Sequence, residues 1–184
     1  RKAYGSDEIS TPDFLKALSQ FMLMCVSSNS RYDSIMRQEA GKKFTADEQE
    51  GYTIFKQKCG TCHAEPLFTD HTFRNNGLSI SAVNDEGHYM VTQNDADRYT
   101  FKVPSLRNLA YTAPYMHDGR FFTLEAVLEH YTDQVQETPN LDPALKQNTK
   151  PGLAMTADEK KKIITFLNTL NDKSFLLEKR LAEQ

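Results

Sequence analysis

Cys59-Gly60-Thr61-Cys62-His63 constrains this chain more than any other five residues in it. Two thiols two residues apart match the separation of the haem vinyl groups, and the next residue offers an imidazole to the iron. A zinc site would need a second Cys or His pair at suitable spacing. Cys25 and the scattered histidines supply none. A redox dithiol would want a strand–helix–strand context, which the sequence lacks. The motif therefore predicts one covalent haem c, with Cys59 and Cys62 as its attachment points and His63 as the proximal ligand. Covalent attachment of this kind takes place outside the cytoplasmic membrane, which implies a periplasmic or exported protein.

The 184 residues suffice for one domain with an N-terminal extension and a core of its own. A net charge of −3 argues against nucleic acid as a partner. No stretch approaches the roughly 18 apolar residues of a membrane span. The third cysteine, Cys25, lies in the apolar run Phe21-Met22-Leu23-Met24-Cys25-Val26 and is expected to be a buried, inert thiol. The chain opens on Arg1, without an initiator Met or a signal sequence, and reads as an internal piece of something longer.

Helical periodicity organises both ends. Thr11 is expected to cap a first helix with Pro12 at its first position, carrying Phe14, Leu15, Leu18, Phe21, Met22, Cys25 and Val26 on helical spacing. A shorter helical segment is expected from Tyr32 to Gln38. Thr45-Ala46-Asp47-Glu48 is a capping box, and the helix it opens, with Tyr52, Ile54 and Phe55, runs straight into Cys59. Residues 64–110, rich in Asn, Asp, Gly and Pro, read as loops with a short strand or two, wrapped around the cofactor that replaces part of the core. A helix is expected over 123–131, with Leu124, Val127, Leu128 and Tyr131 on one face. A second capping box at Thr156-Ala157-Asp158-Glu159 opens the last long helix, whose stripe is Ile163, Ile164, Phe166, Leu167 and Leu170. The tail from Ser174 to Gln184 is charged, although Phe175, Leu176 and Leu177 could dock.

The fold expected is all-α: a cytochrome c-like helical domain around one covalent haem c, with long irregular loops. Residues 1–44 form an N-terminal helical extension, 45–172 the haem domain and 173–184 a tail. The sixth iron ligand stays open on chemistry alone. Met116, in a loop 53 residues beyond His63, suits an electron carrier. His71, His88, His117 and His130 are chemical alternatives, and Tyr131 either ligates or packs with its hydroxyl at an edge. Lys102, Arg107 and Arg120 are candidates for charge-assisted bonds to the haem propionates.

The run from Thr100 to Gly119, TFKVPSLRNLAYTAPYMHDG, resembles the signature of bacterial dihaem cytochrome c peroxidases and their MauG relatives. Ser30-Arg31-Tyr32-Asp33, Phe44 to Gly51, Phe122 to Val127 and the capping box at Thr156 extend the likeness over roughly residues 10–172. In that family two c-type domains face each other; the N-terminal haem reacts with peroxide and the C-terminal haem transfers electrons. This chain resembles the C-terminal half. The resemblance thus implies a peroxidatic haem domain in the same parent chain, an external electron donor or a protein substrate, and a homodimer as one arrangement. It puts the sixth ligand at Tyr131, as in MauG-type proteins, with Met116 as the alternative. It further implies a calcium ion held partly by the carbonyls of Thr112 and Pro114, and His117 at the domain interface, coupling the two haems. The rival reading is a stand-alone, Met116-ligated electron carrier without enzymatic activity.

Overall fold

A computed structural model describes residues 4, 5, 7–146 and 149–181. The two capping boxes launch the two helices that form its centre. In α3 (Ala46–Lys58), the Thr45 N–H donates to Glu48 Oε2 at 2.7 Å and the Glu48 N–H donates back to Thr45 Oγ1. In α6 (Ala157–Asn168), Thr156 and Glu159 repeat the exchange, satisfying amides that a helix start leaves unpaired. The helices pack against each other at Gly51, where a Cβ would lie 2.0 Å from the Lys162 carbonyl oxygen. Only the missing side chain lets the backbones come so close.

Around this crossing the core is an aromatic cluster. Phe55 of α3, Ile163 and Phe166 of α6, and Leu170 just beyond that helix are fully buried together with Phe68. Leu128 of α5 (Leu124–Glu129) and Tyr32 of α2 (Arg31–Met36) close it, and Phe44 packs on its side. Thus Tyr32 and Phe44, from the first 44 residues, share the core of the residues that follow. A smaller cluster of Val135, Leu141 and Leu145 lies against Tyr131 and Leu153.

As expected, residues 64–110 are mostly irregular. They contain β1 (Phe73–Arg74) and β2 (Phe101–Lys102), paired antiparallel with Arg74 opposite Phe101, and the single turn α4 (Tyr89–Thr92). Among the described residues that ladder is the one sheet, and the all-α expectation holds.

Three local expectations need correction. The first helix, α1 (Thr11–Met24), is capped by Ser10 rather than Thr11, because the Ser10 hydroxyl reaches the Asp13 N–H at 3.2 Å. Cys25 is exposed rather than buried. The apolar stripe that carries it stays largely exposed: Phe21 is 49%, Leu23 78% and Val26 65% exposed, and α1 has no buried residue. The helix expected over 123–131 ends at Glu129 and widens into a π-helical stretch, His130–Gln134. In the tail, Asp172 caps a short helix, α7 (Lys173–Leu176); Leu176 and Leu177 remain exposed, and residues 182–184 lie outside the described residues. No described helix is long and apolar enough to cross a membrane.

A buried ion pair ties α2 to the loop beyond β2. Arg107 holds both oxygens of Asp33, at 2.8 and 2.9 Å, while Ser30 donates to the same carboxylate from its N–H and hydroxyl. Burial alone would raise the Asp33 pKa, but the Arg107 and Ser30 bonds outweigh it and hold the carboxyl below its ordinary range. The stabilisation is therefore complete above the unfolded value, about pH 4, and is lost as pH falls through the lower folded value. Asp33→Asn is expected to cost about 3 kcal/mol at pH 7, since it leaves the Arg107 charge uncompensated. Chemical denaturation should find that gap narrowing below pH 4; a gap independent of pH would mean that the ion pair contributes nothing.

Candidate haem site

The C-terminus of α3 delivers the Cys-x-x-Cys-His motif. The Cys59 N–H continues the helix by donating to Phe55 O at 2.7 Å, and the next turn closes with His63 N–H on Cys59 O at 2.9 Å. Both thiols and the imidazole line one cavity. His63 Nδ1 lies 3.1 Å from the Phe68 carbonyl oxygen, so Nδ1 carries the proton. That leaves Nε2 with the lone pair a metal needs. Burial lowers the His63 pKa, against the opposing pull of the Phe68 and Pro104 carbonyls, and keeps the ring neutral. Burial also pushes the Cys59 thiol up to about 12, with the neighbouring Cys62 adding to the shift.

The cavity measures about 550 Å³, within the range of roughly 300–1,000 Å³ usual for cofactor and ligand sites. Its walls are apolar and come from separate parts of the chain: Leu106 and Leu109 from the loop after β2, Leu124 and Leu128 from α5, Leu153, and Leu167 from α6. An apolar slot of this size, with two thiols and a neutral imidazole on one wall, fits haem c.

Most of the residues singled out in the sequence reach this cavity. Met116, Tyr131, Lys102, Arg107, Thr112, Pro114 and His117 all line it. The π-helical stretch carries Tyr131, and a wide turn of this kind is frequent at functional sites. Burial pushes its phenol up to about 12; the Asn76 amide at its hydroxyl opposes the shift, and the two cysteines add to it. Met116 sits in left-handed backbone, φ 72°, a conformation uncommon for a residue with a side chain. Lys102 is exposed at the rim, whereas the Arg107 guanidinium is engaged by Asp33 and by the Pro66 carbonyl. His117 stacks on Phe101 at 3.7 Å between ring centres.

Four candidates fall elsewhere. Arg120 binds Asp118 and Ser79. His71 is exposed, and His88 stacks on Phe73 with its Nδ1 free of hydrogen bonds and 3.8 Å from Asp97 Oδ1. His130 is 2% exposed and donates from Nε2 to the Asn76 carbonyl at 3.0 Å, next to the cavity rather than in it. Among the described residues no group of three His, Cys, Asp or Glu side chains is placed to hold a metal ion.

Sequence reasoning passed over Arg74, Asn75, Asn76 and Asp142, which also line the cavity. Arg74 bridges Asp70 and Asp142 at 2.6 Å each. Sixty-eight residues separate Arg74 from Asp142, and no local pattern announces such a pair.

An apolar cavity closed by helices around Cys-x-x-Cys-His defines a c-type cytochrome domain. No family model matches the chain. It is 35% identical to the methylamine utilization protein MauG of Methylorubrum extorquens, over 92% of this chain and 47% of that protein. It is 34% identical to the cytochrome c551 peroxidase of Nitrosomonas europaea, again over 92% and 47%. Among solved structures, a MauG-like protein associated with microbial copper homeostasis superposes with a TM-score of 0.76 at 28% identity, over 97% of this chain and 66% of that one. Over almost its whole length the chain is similar to MauG and the bacterial cytochrome c peroxidases, and it spans about half the length of these curated relatives.

Proposed function

We propose that this chain is the C-terminal, electron-transferring haem c domain of a dihaem cytochrome c peroxidase or MauG-type oxidoreductase, exported to the periplasm. In this reading it takes electrons from an external donor, or by way of a protein substrate, and exchanges them with a peroxide-reacting haem in an N-terminal domain of the same parent chain. The observation that carries the reading is the convergence of Cys59, Cys62, His63 and Tyr131 on one apolar cavity.

Bound there, haem supplies one-electron redox chemistry, and the protein tunes it. Cys59 and Cys62 would hold it covalently, and His63 would offer Nε2 to the iron. Tyr131 would supply its phenol oxygen to the iron, a donor that favours the oxidised state. Lys102, at the rim, is the cation best free to meet a propionate. Arg107 contributes through its grip on Asp33 and Pro66, which braces the loop of residues 103–109 along the cavity. The carbonyls of Thr112 and Pro114 would hold calcium together with groups of the partner domain. His117, exposed and stacked on Phe101, couples the two haems across that interface. The apolar face of α1 docks on the same partner domain, and a homodimer is a further arrangement compatible with this reading.

A second reading, the Met116-ligated carrier, has one observation in its favour: Met116 lines the same cavity. The visible and near-infrared spectrum of the oxidised, haem-loaded protein separates the two. We expect no methionine-to-iron charge-transfer band and a spectrum altered by Tyr131→Phe. A band that disappears in Met116→Ala would overturn the tyrosine assignment.

A further inference from the structure

Both candidate sixth ligands meet at one side chain that belongs to neither. Asn76 donates from Nδ2 to Met116 Sδ at 3.6 Å, and it lines the same cavity as Met116 and Tyr131. Its main-chain carbonyl accepts the His130 Nε2–H at 3.0 Å, which ties Asn76 to the residue preceding Tyr131 on the π-helical stretch.

We propose that Asn76 is the positioning residue that selects the sixth ligand, tethering the Met116 sulfur and bracing Tyr131 toward the iron. The inference rests on the reading of the cavity as a haem site ligated by Tyr131. Three features make Asn76 suited to the task. Its backbone is fixed: at Gly77, φ 68°, a Cβ would lie 2.6 Å from Val135 Cγ1, and the Gly77 carbonyl accepts the Gln136 N–H at 2.8 Å. The segment is thus clamped to the chain on the far side of the π-helical stretch and cannot drift from Tyr131. Its side chain is chemically matched, because an amide N–H can engage a thioether lone pair while its other polar atoms remain available to a hydroxyl. Met116, finally, is held in left-handed backbone, so its sulfur is where the surroundings keep it rather than where its own conformational preference would carry it.

A thioether is a weak acceptor, so the tether acts by bias rather than by force. Bias is sufficient, because two ligands that line one cavity compete for one coordination position. Without the amide donor the Met116 sulfur is released, and methionine ligation raises the potential relative to tyrosine.

The test is the near-infrared spectrum and midpoint potential of the haem-loaded protein with Asn76→Leu, which keeps the size and removes both polar atoms. The expected result is a methionine-to-iron band absent from the parent protein, a positive shift in potential, and loss of the band when Met116→Leu is added. Asn76→Ala, which removes both polar atoms without adding bulk or charge, gives the same readout should the leucine variant fail to load haem. If the parent protein lacks the band and both loaded variants reproduce its spectrum and potential, Asn76 does not select the ligand and the inference alone falls. If the parent protein already shows the band, the Tyr131 reading falls and takes this inference with it.

Discussion

Serine in place of both Cys59 and Cys62 is expected to leave no haem on the chain after denaturing electrophoresis. The hydroxyl matches the thiol in shape but does not add to a vinyl group, so attachment is lost while the fold around it persists. Each single variant retains one attachment point and should keep a reduced level of covalent haem. The two sites differ in a way that sharpens the comparison. Burial holds the Cys59 thiol up to about 12, and the Cys62 thiol is raised less. Both are therefore protonated before attachment, and neither serves as a reactive thiolate for other partners. Haem staining against circular dichroism measures the outcome. Covalent haem on the double serine variant would mean that another side chain carries the bond, and the assignment of the cavity would be wrong.

Phe166→Ala should be the most damaging single change to stability. The ring is fully buried and packs on Tyr52 and Phe55 at 5.0 and 5.1 Å between ring centres, with Tyr32, Phe44 and Phe68 at 6.1–6.2 Å. Truncation removes its transfer free energy and leaves a cavity that five rings cannot collapse to fill, a loss of about 3–5 kcal/mol. A domain of this size has only about 5–15 kcal/mol in total. Equilibrium denaturation of the haem-loaded protein reads the difference. A loss below 1 kcal/mol would mean that α3 and α6 repack around the gap, and that the aromatic cluster is not what fixes their crossing.

How much of this was legible in the sequence depended on whether a signal was local. The capping boxes at Thr45 and Thr156 are four-residue patterns, and both start helices where the pattern places them. The haem motif is equally local; Tyr131 stands out through the family resemblance and Met116 through its chemistry, whereas the cavity that joins them is a tertiary feature. The end of α5 was misread because a π-helical widening leaves no mark in hydrophobic spacing: Leu124, Leu128 and Tyr131 still fall on one face. The stripe on α1 was visible, but a stripe does not say what covers it, and so Cys25 was placed inside when it lies outside. The bridge from Arg74 to Asp142 and the meeting of Asn76 with Met116 depend on how the irregular segment 64–110 is routed. Long-range polar pairs of that kind follow from the tertiary path of the chain, and pattern reading does not reach them.

The widened turn after α5 has a consequence for how such a site can change. A π-helical stretch is in effect an α-helix with one residue to spare, and each residue of an α-helix turns the next side chain by about 100°. The direction of Tyr131 is thus set by the number of residues preceding it in the segment as well as by their kind. Removing one of them would straighten the helix and swing a neighbour, His130 or Thr132, toward the cavity. A gap of a single residue here, harmless in most surface helices, would exchange the side chain presented to the cavity without altering one letter of the attachment motif.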